Sequence, residues 1–428
     1  MIKKSPAQLA DEQYIWHPFT HLKYAETPIN IVGSQGAHYF DEDGFKYIDA
    51  ISSWWVNLHG HSHMYIADKV FQQLRTNAHS IFSGFTHHQA IEFGERLLEK
   101  LPENFSKVFY SDDGSTSVEV ALKMALQFWN NKGEARTKII AFEDAYHGDT
   151  FGSMSVGARN VFTAAFSPLL FDVLRLPVPN EENFESVKQQ LNGHIKSDNV
   201  GAFIFEPLIL GAGGMQMYNA EHLDELISTC KEHQVICIAD EVMTGFGRTG
   251  EFFAIDYLEN KPDIICLSKG ITGGVMPLGV TACAEFIYEA YVDDDKSKTF
   301  FHGHSYTANP TACAAANANM DLMERNETFA NIRRIADQHS IFAEKIKSHK
   351  KVKEVRSLGT ILAIEIKTPE KTGYMNSLSD KISSWFIVQG IILRPLGNVL
   401  YILPPYCITN YDLSYIYSNI ETFLEHEI

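Results

Sequence analysis

The stretch VICIADEVMTGFGRTG (residues 235–250), followed after a polar spacer by PDIICLSKGITGG (262–274), decides the fold. Val235–Ala239 is a short apolar run rich in β-branched residues that breaks at Asp240-Glu241, and Ile264–Leu267 is a second that breaks at Ser268-Lys269. Such runs read as buried strands of a parallel sheet, which is covered on both faces and so needs no polar side. Each run leaves a charged side chain just past its carboxyl end. In open α/β sheets that edge is where ligands bind, which makes Asp240 and Lys269 candidates for chemistry.

A carboxylate and a lysine at strand ends, with Gly270, Gly273 and Gly274 behind the lysine, suit a pyridoxal phosphate site. There a lysine forms the Schiff base, and a carboxylate pairs with the pyridinium nitrogen so that the ring withdraws electrons. The glycines would let the backbone turn closely around a bulky group. Taken singly, Asp240 reads as a cap and Lys269 as a solvated surface group, because strand-end loops are polar anyway. The rest of the chain has to support the pair.

The 428 residues are 45% apolar and 21% charged, a globular balance with chain enough for two or three domains' worth of core. A formal charge of −17 argues against nucleic acid or an anionic membrane surface as partner, so an anionic ligand would need local donors. No run reaches membrane-spanning length, and the opening MIKKSPAQLADEQ lacks the apolar stretch of an export signal. The six cysteines contain no C-x-x-C pair, which fits a reducing cytoplasm rather than a disulfide frame or a zinc site.

Further strands are expected at 106–110, 138–142 and 200–205, alternating with helices up to about residue 283: a doubly wound α/β domain with a mainly parallel sheet. The first ends in Gly114-Ser115 and a helix at 117–130, a strand-turn-helix entry whose free amides and dipole suit a phosphate. The second ends near Tyr146, an aromatic able to stack on a planar ring; the third ends in Glu206-Pro207 before the glycine-rich loop 211–214. A hairpin is expected around Asp43-Gly44. Trp54-Trp55 reads as strand, placing the tryptophans on opposite faces, at least one toward a pocket or interface. His59, His61 and His63 would share a strand face, but no carboxylate or thiol stands at complementary spacing and Gly60 suggests a loop, so no metal is expected. The remainder, helices at 312–323, 326–347, 378–389 and 411–425 with strands at 360–366, 391–393 and 399–403, makes a smaller α+β domain. The expected division is 1–60 joining the small domain, 61–310 as the large domain and 311–428 as the small one.

Gly114-Ser115, Tyr146, Asp240 and Lys269, in that order at successive strand ends, resemble the fold-type I pyridoxal phosphate enzymes, specifically the class III aminotransferases. The resemblance implies phosphate binder, ring-stacking aromatic, pyridinium partner and Schiff-base lysine at those positions. Within the class, Trp16-His17-Pro18-Phe19-Thr20, Ser52-Ser53-Trp54-Trp55, Tyr146-His147-Gly148-Asp149-Thr150, Gly211-Ala212-Gly213-Gly214-Met215 and Arg394-Pro395-Leu396-Gly397 are most similar to members of biotin biosynthesis. Those aminate 8-amino-7-oxononanoate, usually from S-adenosylmethionine and in some relatives from lysine. The same resemblance implies substrate contacts at Phe19, Trp54, Trp55, Tyr146, Gly303 and Arg394. It also implies a phosphate contact from His304-Ser305 across a homodimer interface. Phe19 stands where a tyrosine is common in the family, and His304-Ser305 where Pro-Thr is common. Arg248, between two small residues, is a second candidate for guarding the pocket. The rivals are an aminotransferase for another terminal amine, a nucleotide-binding module, for which no G-x-G-x-x-G follows a strand, and a scaffold, which would not need to keep Lys269 and Asp240.

Overall fold

In the computed structural model, which describes residues 4–428, the two deciding runs are neighbouring parallel strands, Ile236–Asp240 and Ile264–Leu267, with Asp240 opposite Cys266. They lie inside a seven-stranded sheet of spatial order Phe105–Ser111, Gly279–Ala284, Ile264–Leu267, Ile236–Asp240, Val200–Phe205, Lys138–Phe142, Leu174–Leu176. Only Gly279–Ala284 runs against the rest. Alternation along each strand feeds two cores. Cys237 and Ala239 join one apolar cluster, Ile236 and Ile238 the other, and all are buried. Full burial of one such isoleucine contributes roughly 1.5–3 kcal/mol, which explains why the runs are apolar throughout.

The helix Gly114–Asn131 begins where the sequence changes period from two to 3.6. Asp113 caps it: its carboxylate accepts the Thr116 amide at 2.8 Å, and the Thr116 hydroxyl accepts the Asp113 amide at 3.1 Å. Val118, Ala121, Leu122 and Ala125 then bury its inner stripe against the sheet.

Two small sheets flank this core. Ile31–Gln35, His38–Asp41 and Lys46–Asp49 form a meander whose last strand pairs in parallel with Ile391–Ile392. Val352–Leu358, Ile361–Ile366 and Val399–Ile402 form an antiparallel three-stranded sheet backed by the helix Asn326–Ile346. Among the strands that the sequence reading does not single out are Gly279–Ala284, an antiparallel insertion wholly buried in the sheet, and Val352–Leu358, a partly exposed strand with no apolar run.

The strand reading of Trp54-Trp55 does not hold. Ser52–Trp55 is a short helical turn in which Ser52 (φ 53°), Ser53 (φ 64°) and Trp55 (φ 72°) are left-handed. Such residues cost about 1–3 kcal/mol each and persist only where surroundings over-determine them. Here Ser52 Oγ donates to the Leu403 carbonyl at 2.8 Å and the Trp55 indole donates to the Tyr401 hydroxyl at 2.9 Å. The histidines follow in a loop and take separate partners, His59 on Asn319 and His61 on Asp49, each at 2.8 Å.

Candidate active site

The carboxyl ends of the parallel strands open into a cavity of 480 Å³ lined by Gly114, Ser115, Tyr146, His147, Glu206, Asp240 and Lys269, with Trp55 beneath the lysine. Four separate strand-to-helix loops therefore deliver the sequence-predicted residues to one place. At the Gly114-Ser115 end, Thr116 and Ser117 find partners in Asp113, while the amides of Gly114 and Ser115 find none among the described residues. These are the orphan donors of a helix N-terminus, at the end that favours an anion. A Cβ on Gly114 would come within 2.6 Å of Val242, so the close turn requires glycine.

Asp240 is almost fully buried, and its Oδ2 lies 2.7 Å from His147 Nδ1. The other ring nitrogen of His147, also buried, has no partner among the described residues. Asp240 Oδ1 accepts the Val242 amide at 3.1 Å, which leaves the carboxylate fixed and turned toward the cavity.

Lys269 opens a short 3₁₀ turn in the left-handed region (φ 47°), and its Nζ sits 4.5 Å over the Trp55 ring without a hydrogen-bonded acceptor among the described residues. Burial pulls its amine down to about 8, against the opposing pull of Asp240 and Glu206 and with help from Arg248. An amine near 8 is partly neutral at physiological pH, as a nucleophile or base must be. The Tyr146 phenol is pushed well up, by burial first and then by Asp149. It stays protonated, and so can donate a hydrogen bond or stack but cannot serve as an anionic base.

A second cavity of 340 Å³ continues from Lys269 and Trp55 between Tyr146, Phe19, Trp54, Phe162, Tyr374 and Arg394. Its walls are aromatic: Phe19 meets Trp54 edge-on at 5.4 Å and Phe162 at 5.9 Å, and Phe162 meets Tyr374 at 4.6 Å. Arg394 lies with its guanidinium 4.3 Å over the Trp54 ring and pairs with no carboxylate among the described residues. An amine at one end, a free guanidinium at the other and an apolar passage between suit a chain-like substrate with an anionic tail.

Gly303, His304 and Ser305 line neither cavity of the protomer; Gly303 and Ser305 are exposed, and His304 lies 3.8 Å from Asp112 at the rim. Arg248 does not guard the pocket. It is buried, lines neither cavity, and donates to the carbonyls of Pro404 (3.0 Å), Trp55 (3.2 Å) and Asn57 (3.0 Å), so its guanidinium is spent on tying these backbone segments together.

Four site residues escape the sequence reading: His147, Glu206, Phe162 and Tyr374. His147 was read only as part of its motif, and Glu206 as a strand end. The Glu206 carboxylate is buried, accepts the amides of Tyr146 and Gly211 at 2.9 Å each, and so ties two site loops together. Burial raises it to about 7, with His147 pulling the other way. Polarity at a strand's carboxyl end was the signal that could have found both. Phe162 and Tyr374 lie in loops with no periodic pattern and left no signal.

A family model described as aminotransferase class-III matches residues 20–424. A protein of Synechococcus elongatus named adenosylmethionine-8-amino-7-oxononanoate aminotransferase is 45% identical, over 96% of this chain and 98% of its own. One of the same name from Geobacter sulfurreducens is 36% identical, over 96% and 95%. Among solved structures, the aminotransferase of that name from Methanocaldococcus jannaschii superposes with a TM-score of 0.92 at 35% identity, covering 97% of this chain and 98% of that one. The omega transaminase of Pseudomonas jessenii in complex with PMP gives 0.92 at 26%, covering 97% of each.

Proposed function

The chain belongs to the class-III aminotransferases, and from that premise we propose that it passes an amino group from S-adenosylmethionine to 8-amino-7-oxononanoate, the diamine-forming step of biotin biosynthesis. Pyridoxal phosphate is its cofactor. The observation that carries the substrate reading is the aromatic passage with Lys269 at one end and unpaired Arg394 at the other. A medium-length keto acid spans such a passage with its carboxylate on the guanidinium.

The residues fit the cofactor. The orphan amides of Gly114 and Ser115 would take its phosphate, Lys269 would hold it through the ε-amine, and Asp240, backed by His147, would pair with its ring nitrogen. Bound there, the cofactor supplies an electron sink. The protein supplies the rest. Lys269 Nζ takes the proton from the donor's α-carbon and returns one to the acceptor carbon. Asp240 holds positive charge at the ring nitrogen. Tyr146, which lines both cavities, would stack on the ring, and the aromatic walls would keep water from the reacting carbon. Trp54 and Trp55 offer flat apolar faces to a sulfonium nucleoside.

The enzyme works as a homodimer in the cytoplasm on this reading. Exposed Phe71, Leu74, Ile81, Phe85, Phe301 and Tyr306 supply apolar surface for a second copy, which would bring His304 and Ser305 to its neighbour's phosphate. All six cysteines are unpaired, and no helix among the described residues is long and apolar enough to cross a membrane.

The test is a single turnover. S-adenosylmethionine should bleach the visible band of the yellow enzyme, and 8-amino-7-oxononanoate should restore it. Bleaching by lysine alone reassigns the donor, and recovery only with other ketones overturns the substrate.

A further inference from the structure

Three left-handed residues in four make Ser52–Trp55 the most strained segment beside the pocket, and the structure shows what holds it. Asp49, the last residue of the strand Lys46–Asp49, is fully buried beneath the turn. Its Oδ1 accepts the Ile51 amide at 3.2 Å, and its Oδ2 accepts the Ser53 amide at 2.7 Å. The same Oδ2 lies 2.8 Å from His61 Nε2. On the far side of that ring, His61 Nδ1 is 2.9 Å from the Asn57 side-chain nitrogen, while Asn57 Oδ1 accepts the Gly60 amide at 2.7 Å. With its oxygen committed to Gly60, the Asn57 amide can only donate to Nδ1. The ring proton therefore sits on Nε2 and is donated to Asp49. Tyr39 packs on the His61 ring with centroids 4.1 Å apart and bonds the Ser53 hydroxyl, closing the network.

What the turn presents is the pocket itself. Trp54 faces outward against Arg394 and Phe19, and Trp55 faces inward under Lys269. Asp49, His61 and Asn57 line neither cavity. We propose that Asp49 and His61 are positioning residues for substrate recognition: by fixing the amides of the left-handed turn they hold Trp54 as the backing plate of Arg394. This deepens the reading of Arg394 as the carboxylate anchor and rests on it.

The test is Asp49→Asn, which keeps the size but puts an amide donor against a backbone N–H. The KM for 8-amino-7-oxononanoate should rise about tenfold with kcat within threefold, and the near-UV circular dichroism of the cofactor-free protein should change in the tryptophan region. In a Trp54→Ala background the same substitution should add less than twofold to KM, because its route of action is already gone. His61→Ala, which leaves the Ile51 and Ser53 amides on Asp49 but removes its imidazole partner, should raise the KM in the same direction by a smaller factor, and it serves as the second variant if Asp49→Asn folds poorly. A full tenfold effect on top of Trp54→Ala, an unchanged KM, or a loss confined to kcat would each overturn the proposal. If the parent acts only on another keto acid, the substrate reading fails. The dichroism change and the Trp54 dependence, measured with that ketone, then still decide the role of Asp49.

Discussion

Lys269 is set by influences of opposite sign, burial lowering its amine to about 8 while Asp240 and Glu206 hold it up. Three outcomes follow at this scale. Lys269→Ala should cut turnover by at least roughly 10²–10⁴-fold while leaving far-UV dichroism unchanged, since the group removed is the proposed proton carrier. Glu206→Gln should lower the Lys269 amine further, because a neighbouring negative charge above pH 7 is lost; cyanate labelling of Lys269 in the cofactor-free protein against pH reads this directly, and an upward or absent shift refutes it. Arg394→Ala should raise the KM for the keto acid about 10–100-fold, the worth of one or two charge-assisted hydrogen bonds, with kcat little changed. Asp240 and Lys269 were legible in the sequence because each ends an apolar run. Phe162 and Tyr374 were not, because their partnership spans two loops far apart in the chain.

At the scale of elements, the helix Gly114–Asn131 joins stability to ligand binding through one cap. Asp113→Ala should cost about 1 kcal/mol, read as a lower urea midpoint, and should speed loss of cofactor on dialysis, because the loosened first turn carries the Gly114 and Ser115 amides. The sheet was readable where strands are wholly apolar and end in polar residues. It was unreadable at Ser52–Trp55, where adjacent aromatics mimic a strand. There the conformation is imposed by Leu403, Tyr401 and Arg248, residues whose approach no local pattern encodes. Arg248 was misread for the same reason: a lone arginine among small residues looks like a ligand group until three buried carbonyls converge on it.

For the whole molecule, pH acts through buried groups both at the site and away from it. His339 is buried with Nε2 on the Thr360 carbonyl at 3.1 Å and Nδ1 on the Tyr417 hydroxyl at 2.7 Å, and burial lowers it to about 4. Unfolded, it would titrate near 6.5, so between those values the unfolded chain binds more protons and stability rises with pH. The contribution is complete above about 6.5 and is lost as pH falls toward 4, by at most about 3 kcal/mol. Glu206 and Glu241, each raised to about 7 by burial, act in the opposite sense as pH rises from the ordinary carboxylate range. Urea denaturation of His339→Gln against the parent isolates the histidine: the gap between them should narrow as pH drops from 6.5 to 4. One further consequence belongs to synthesis. The turn that carries Trp54 is fastened to the Leu403 carbonyl 351 residues downstream, and its preceding strand pairs with Ile391–Ile392. A ribosome has nearly finished the message before the first wall of the pocket can be moored, and the N-terminal aromatics must wait unpaired throughout, as natural clients for a holding chaperone.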